Sequence, residues 1–242
     1  MDSYHRRNLV EVAQSLSHRA DLSPSFQRLA NGGHALVLSA ARAAFDPVRQ
    51  TLFIADAQIG KDAVFRARGI PVPEGSTAET LARLDILIAM HRPATIVFLG
   101  DLLHARESHA LTTLGALAEW RERHAGLRLI LVEGNHDRHA GGPPDALALE
   151  VVEEPYRLGP WALCHYPQRV AGAYALAGHE HPVYRVATRL DSARLACFRF
   201  GSDAGVLPAF SAFTGGFEVN ESARGERIFV VAGERVMAVR TQ

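Results

Sequence analysis

Hydrophobic and polar positions alternate in blocks along this chain. Apolar runs of four to seven residues fit buried strands, and longer stretches with a 3.6-residue period fit helices. Thr51–Ala55, Thr95–Leu99 and Leu127–Val132 are predicted strands. Two predicted helices lie between them. Ser76–Met90 can be capped by Ser76 or Thr77, carries Glu79 in its first turn and shows an apolar stripe of Leu81, Leu84 and Ile88. Pro93 then forbids its continuation. His109–His124 places Leu111, Leu114, Leu117 and Trp120 inward. A β-α-β-α-β order predicts parallel pairing with right-handed crossovers. Further strands are predicted at Trp161–Cys164, Tyr174–Ala177, Val183–Ala187, Ala196–Phe200, Ile228–Val231 and Arg235–Val239. Few long helical patterns follow residue 150, so a second sheet is expected to pack on the first. Residues 1–33 form an N-terminal extension with a short helical pattern over Asn8–Leu16. It reads as a mobile arm as readily as a docked helix. The domain proper is expected over 34–242.

The chain has 242 residues, enough to bury a core without disulfides or a structural metal. Lys+Arg and Asp+Glu are both 26, so no basic arm or acidic tail exists, and charge alone gives no case for nucleic acid. Lys61 is the only lysine, a bias toward arginine that a GC-rich genome explains. Two cysteines, Cys164 and Cys197, make no disulfide framework and point to a reducing compartment. No apolar run approaches the roughly 18 residues of a membrane span. The opening MDSYHRRNLVEVAQSL has no long apolar core and no small-residue cleavage site. The expectation is a soluble, cytoplasmic protein with no membrane partner.

What ends each strand is more informative. Thr51–Ala55 runs into Asp56, Thr95–Leu99 into Gly100-Asp101, and Leu127–Val132 into Gly134-Asn135-His136-Asp137. Trp161–Cys164 runs into His165, and Tyr174–Ala177 into Gly178-His179-Glu180-His181. Open α/β sheets place their sites at the strand C-termini, so these five ends can converge. Asp, Asn and His supply the hard oxygen and borderline nitrogen donors that Mn²⁺, Fe or Zn²⁺ accept. Gly100, Gly134 and Gly178 are expected to let the backbone turn sharply before each ligand.

This ordered set resembles the calcineurin-like metallophosphoesterases. More narrowly, the chain resembles the ligase-associated DNA damage response endonucleases, the PdeM family. The strings that carry the likeness are IADAQIGKDAVFRARGIPVPEG (54–75), GDLLHAR (100–106), EGNHDRH (133–139), CHYP (164–167), GHEHP (178–182) and LPAFSAFTGG (207–216). The resemblance implies a four-layered α/β/β/α sandwich with two mixed sheets. It also implies two divalent metal ions, most simply Mn²⁺, with Fe or Zn²⁺ as alternatives. Asp101 would bridge both ions, Asp56, Gln58 and His181 would complete the first site, and Asn135, His165 and His179 the second. His136 would stand over the phosphate as general acid. His104 or Asp137 would orient it or tune it.

Two cations about 3.5–4 Å apart can acidify a shared water and clamp phosphoryl oxygens, and the hydroxide can attack phosphorus in line with the leaving oxygen. An imidazole near neutral pH suits the proton donor's task. The family's first motif ends in His where this chain has Gln58. An amide oxygen is a weaker donor, so a looser first site with a preference for a hard ion is expected. Lys61, Arg66, Arg68 and Arg106 are candidate contacts for nucleic-acid phosphates, against a solvated basic patch. Phe210, Phe213 and Gly215-Gly216 read as a packed loop or as a lining of the site's mouth. The leading expectation is a DNA endonuclease in repair, partnered by DNA and by an ATP-dependent ligase, a helicase and an exonuclease. A phosphatase or phosphodiesterase of small molecules such as nucleotides, and a binding module without activity, are the competing readings.

Overall fold

The computed structural model describes residues 26–28, 35–67, 69, 75–187, 192–211, 214–219 and 225–239. The helical pattern at Asn8–Leu16 lies outside them, as do Arg68 and Phe213.

One sheet runs in the order β1 (Phe26–Arg28), β2 (Ala35–Ser39), β3 (Ala43–Asp46), β4 (Thr51–Ile54), β5 (Thr95–Leu99), β6 (Arg128–Val132) and β7 (Glu150–Val152). Its first four strands pair antiparallel, and β4 to β7 pair parallel. Three residues of the expected N-terminal extension, β1, therefore join this sheet. The expected parallel trio is β4, β5 and β6. Between β4 and β5 run α1 (Lys61–Ala67) and α2 (Ser76–His91), α3 (Leu111–Arg123) connects β5 to β6, and α4 (Asn135–Ala140) follows β6. The predicted stop of α2 is realised by Arg92, left-handed at φ 47°, whose N–H closes on the Ile88 carbonyl ahead of Pro93.

The other sheet is built from β8 (Tyr156–Leu158), β9 (Trp161–Leu163), β10 (Tyr174–Ala177), β11 (Pro182–Ala187), β12 (Ser192–Phe200), β13 (Ala204–Val206) and β14 (Phe217–Val219). Their spatial order is β14-β11-β12-β13-β10-β9-β8, and β15 (Arg227–Ala232) pairs with both β12 and β16 (Arg235–Ala238).

The period of two along each strand assigns its faces. Leu52 and Ile54, Ile96 and Phe98, and Leu129 and Leu131 face the helices, among Leu81, Leu84, Leu117 and Trp120. Phe53, Val97, Leu99, Ile130 and Val132 face the other sheet, among Trp161, Leu163, Leu176, Phe198 and Phe200. Burial on both faces is why these strands read as unbroken apolar runs. A third cluster, with Leu195, Cys197, Ile228, Val230 and Met237, is made of strand residues on the far side of the second sheet. Two mixed sheets packed face to face, with helices flanking, form a metallophosphoesterase-like sandwich.

Candidate metal centre

The ends of β4, β5, β6, β9 and β10 meet. Pairing between β4 and β5 continues past both strands: the N–H of Asp56 donates to the Gly100 carbonyl (3.3 Å), Gln58 to Asp101 (2.9 Å) and Ile59 to Leu102 (2.7 Å). The backbone then turns through uncommon conformations. Asp56, Gln58, Asp101, His179 and His181 all have positive φ, between 45° and 68°. Such left-handed residues cost roughly 1–2 kcal/mol each and gather at functional sites.

Gly100 has φ 81° and turns as expected, whereas Gly134 and Gly178 are not among the positive-φ glycines. Their task is close approach. A side chain at Gly134 would strike the Asp101 carboxylate and backbone, one at Gly178 would strike Asp56 and Ala55, and one at Gly100 would strike the His165 ring.

Ligand atoms of Asp101, His165 and His179 lie within 4.8 Å of one another. His165 is fully buried, and its Nδ1 faces the Leu99 carbonyl at 3.1 Å. A carbonyl only accepts, so Nδ1 carries a proton and Nε2 points into the cluster. That Nε2 lies 2.9 Å from Asn135 Oδ1, 3.1 Å from His179 Nδ1 and 3.5 Å from Asp101 Oδ1. On the other side of Asp101, His181 Nδ1 faces the Gly215 carbonyl at 3.3 Å. Its Nε2 lies 3.3 Å from Asp56 Oδ1, yet both atoms are buried without a hydrogen-bond partner. Donor atoms are thus gathered from three imidazoles, two carboxylates and an amide. A divalent cation fits the cluster of Asp101, His165 and His179, with Asn135, Asp56 and His181 beside it.

Burial raises the Asp101 pKa, His165 opposes this, and the charge of Asp56 adds to it. Burial and the neighbouring His165 lower that of His179. For His181 burial opposes protonation, but the Asp56 carboxylate outweighs it and the pKa rises.

His136 lies beside this centre. Its backbone N–H donates to Asp101 Oδ1 (2.9 Å), and its Nε2 is 3.9 Å from Asp101 Oδ2. Its Nδ1 donates to the His104 carbonyl (2.8 Å), and the two rings stack with centroids 5.0 Å apart. His104 therefore supports His136 with both its carbonyl and its ring. Asp137 is placed differently from the expected partner of the His136 imidazole. It is fully buried, and its two oxygens accept the N–H groups of Leu103 and Gly134, each at 3.0 Å. It ties the loop after β5 to the loop after β6.

Burial pushes the Asp137 pKa up to about 6 despite these bonds. A folded pKa above the unfolded one means that ionising the group costs stability as pH rises from about 4 through about 6; a shift of this size is worth on the order of 3 kcal/mol. In metal-stripped protein, the stability of the wild type relative to Asp137→Asn should fall by a little under half of that amount, about 1.4 kcal/mol, between pH 5 and pH 7.5. Urea melts at both pH values measure it, and a pH-independent gap would refute the cost.

Among the basic candidates, Lys61 lies inward rather than in a solvated patch. Lys61 is only 9 % exposed, and its Nζ donates to Gln58 Oε1 (2.9 Å). Burial lowers its pKa. Gln58 thus offers an oxygen already engaged by a cation. Arg66 pairs with Asp62 one helical turn back at 3.3 Å, and Arg106 is exposed at the start of a 3₁₀ turn. Cys164 is buried, with its thiol pushed up to about 12, as suits an inert strand residue. The 207–216 loop does both things expected of it. Phe210 packs, with its N–H on the Ala55 carbonyl (2.8 Å), and the Gly215 carbonyl holds His181.

Two residues escaped the sequence reading. Glu154 Oε2 accepts the N–H groups of His165 (2.7 Å) and Tyr166 (3.0 Å). Tyr166 donates its hydroxyl to Asn135 Oδ1 (3.1 Å) and lays its ring 4.3 Å from that of His179. The only available signal was its place beside His165 in CHYP. Groups that orient ligands are typically worth 10–100-fold in metal affinity. Tyr166→Phe keeps the ring and loses the hydroxyl, so metal affinity measured calorimetrically should fall about tenfold, with the melting temperature nearly unchanged.

No protein-family model matches the chain, and no curated protein matches it. Among solved structures it is similar to the crystal structure of Pseudomonas putida nuclease MPE. The two share 41 % sequence identity and a TM-score of 0.78, over 88 % of this chain and 100 % of that one. At that identity and coverage, the chain belongs to the same family as the Pseudomonas putida nuclease MPE.

Proposed function

We propose that this protein is a dinuclear-metal-dependent phosphodiesterase that cuts DNA as an endonuclease in repair. One observation carries the metal chemistry: Asp101, His165 and His179 bring candidate ligand atoms within 4.8 Å of one another, and beside them Asp56 Oδ1 and His181 Nε2 are buried without a hydrogen-bond partner. Likeness to a nuclease supports a phosphoester substrate. The resemblance to calcineurin-like and ligase-associated endonucleases supports DNA, a cytoplasmic repair setting, and a ligase, a helicase and an exonuclease as partners. Among the described residues no helix is long and apolar enough to cross a membrane.

Divalent cations bound here supply positive charge to the phosphoryl oxygens and make water acidic. The chain does the rest. Asp101 holds the His136 backbone in place through its N–H. The His104 carbonyl fixes the His136 proton on Nδ1, which leaves Nε2 to carry the proton that moves. As imidazolium, His136 donates from Nε2 to the departing alkoxide, which leaves as an alcohol.

Metal titration tests this reading. Chelator-stripped protein should take up two Mn²⁺ in two steps of unequal affinity, and Gln58→His should tighten the weaker one. Mn²⁺ should restore nicking of plasmid DNA. Uptake of a single ion, or turnover of a phosphomonoester with plasmid left intact, would overturn the proposal.

A further inference from the structure

The geometry points to an anion subsite beside the metal centre, where Arg42 and Arg194 hold the DNA phosphate next to the one being cut. The inference rests on the nuclease reading and deepens it. A cavity of about 200 Å³ is walled by Arg42, His181, Pro182, Val183, Arg194 and Thr214. That is space for roughly seven waters at about 30 Å³ each, enough for a phosphate and part of a sugar. His181 forms both the rim of this cavity and the flank of the metal centre, because its Nε2 faces Asp56 at 3.3 Å. A chain of phosphates lying across the centre therefore enters the cavity next.

The wall chemistry suits a phosphodiester. Arg42 directs Nη1 at the carbonyls of Ser211 (3.0 Å) and Ala209 (3.4 Å), and a guanidinium has five N–H donors to distribute. Arg83 lies close by, with its guanidinium 4.1 Å from the Phe210 ring centroid. Burial first, and then the charge of Arg42, bring the Arg83 pKa down to about 10, with Glu79 opposing. Across the cavity, Arg194 donates to the Gly216 carbonyl (2.5 Å) and lies 3.8 Å from Glu218. Glu218 is already gripped by Arg185 at 2.8 and 3.0 Å. Four arginines thus share two glutamates, Glu79 and Glu218. A zero net charge over the whole chain conceals this local excess.

The test uses a fluorescent DNA oligonucleotide and metal-stripped full-length protein, with binding read by anisotropy across a salt series. Arg194→Gln should weaken binding about tenfold and reduce the slope of log K against log salt by about one, the signature of one lost phosphate contact. Arg194→Lys should restore the slope, because it restores the charge. Arg42→Gln should act in the same direction, checked against its melting temperature because Arg42 also holds loop carbonyls. An unchanged slope in Arg194→Gln, or no binding of the oligonucleotide by the wild type, overturns the subsite. Cleavage assays separate the two ideas. If the wild type cuts DNA and the slope is unchanged, the subsite fails alone. If the slope falls but no metal supports cleavage, the nuclease reading fails alone.

Discussion

Asp101→Ala should lower kcat on a phosphodiester by at least about a thousandfold. This carboxylate stands between the two groups of ligands: its Oδ1 is 3.5 Å from His165 Nε2, and its charge acts on both His179 and His181. Its removal takes a negative donor from both candidate sites and releases the backbone of His136. Charge stabilisation by metals is worth several kcal/mol at the transition state, and each 1.36 kcal/mol is about tenfold in rate. Steady-state kinetics with Mn²⁺ measure the loss. Asp101→Asn is the control, since its amide oxygen can still accept the His136 N–H. If the fold survives in both variants and activity stays within tenfold of wild type, the centre is misassigned.

His136→Ala gives the second large effect, a fall of about 10²–10⁴ in kcat, the usual contribution of a positioned proton donor. The loss should depend on the leaving group. A DNA alkoxide needs the proton, whereas a nitrophenolate leaves as a stable anion, so the variant should retain far more activity on a nitrophenyl diester. Equal losses on both substrates would assign His136 to binding. His104→Ala should produce a weaker version of the same pattern, since its ring stacks on His136 while the carbonyl that holds Nδ1 stays.

The site was more legible than the fold's edges. Strands buried on both faces announce themselves as apolar runs, and polar residues at their C-termini mark the site. That logic singled out Asp56, Asp101, Asn135, His165, His179 and His181, whose side chains the structure brings close together. Short elements were harder. α1 is seven residues long and α4 six, too short to show a periodic stripe. The Asn135-His136-Asp137 string shows no helical pattern in sequence, although it is the first turn of a helix. Lys61 was read as part of a basic patch because sequence does not show that a charge points inward at an amide. Asp137 was read as a partner of His136 for a similar reason: adjacency along the chain says nothing about which backbone N–H groups a carboxylate will find. Gly134 and Gly178 were correctly singled out but for the wrong cause, since a missing side chain serves crowding as well as turning.

The extension of β4–β5 pairing beyond both strands has an evolutionary corollary. Asp56 and Asp101 are anchored on adjacent, hydrogen-bonded backbones, which in any sheet lie about 4.8 Å apart. The sheet thus acts as a ruler for the interval between the two acidic anchors, and the helices that link them do not. Insertions between α1 and α2, or at either end of α3, should be tolerated with little change in chemistry. A one-residue slip between β4 and β5 would turn the slipped strand's carboxylate away from the histidines, so drift in this lineage should accumulate in the connections and spare that single register.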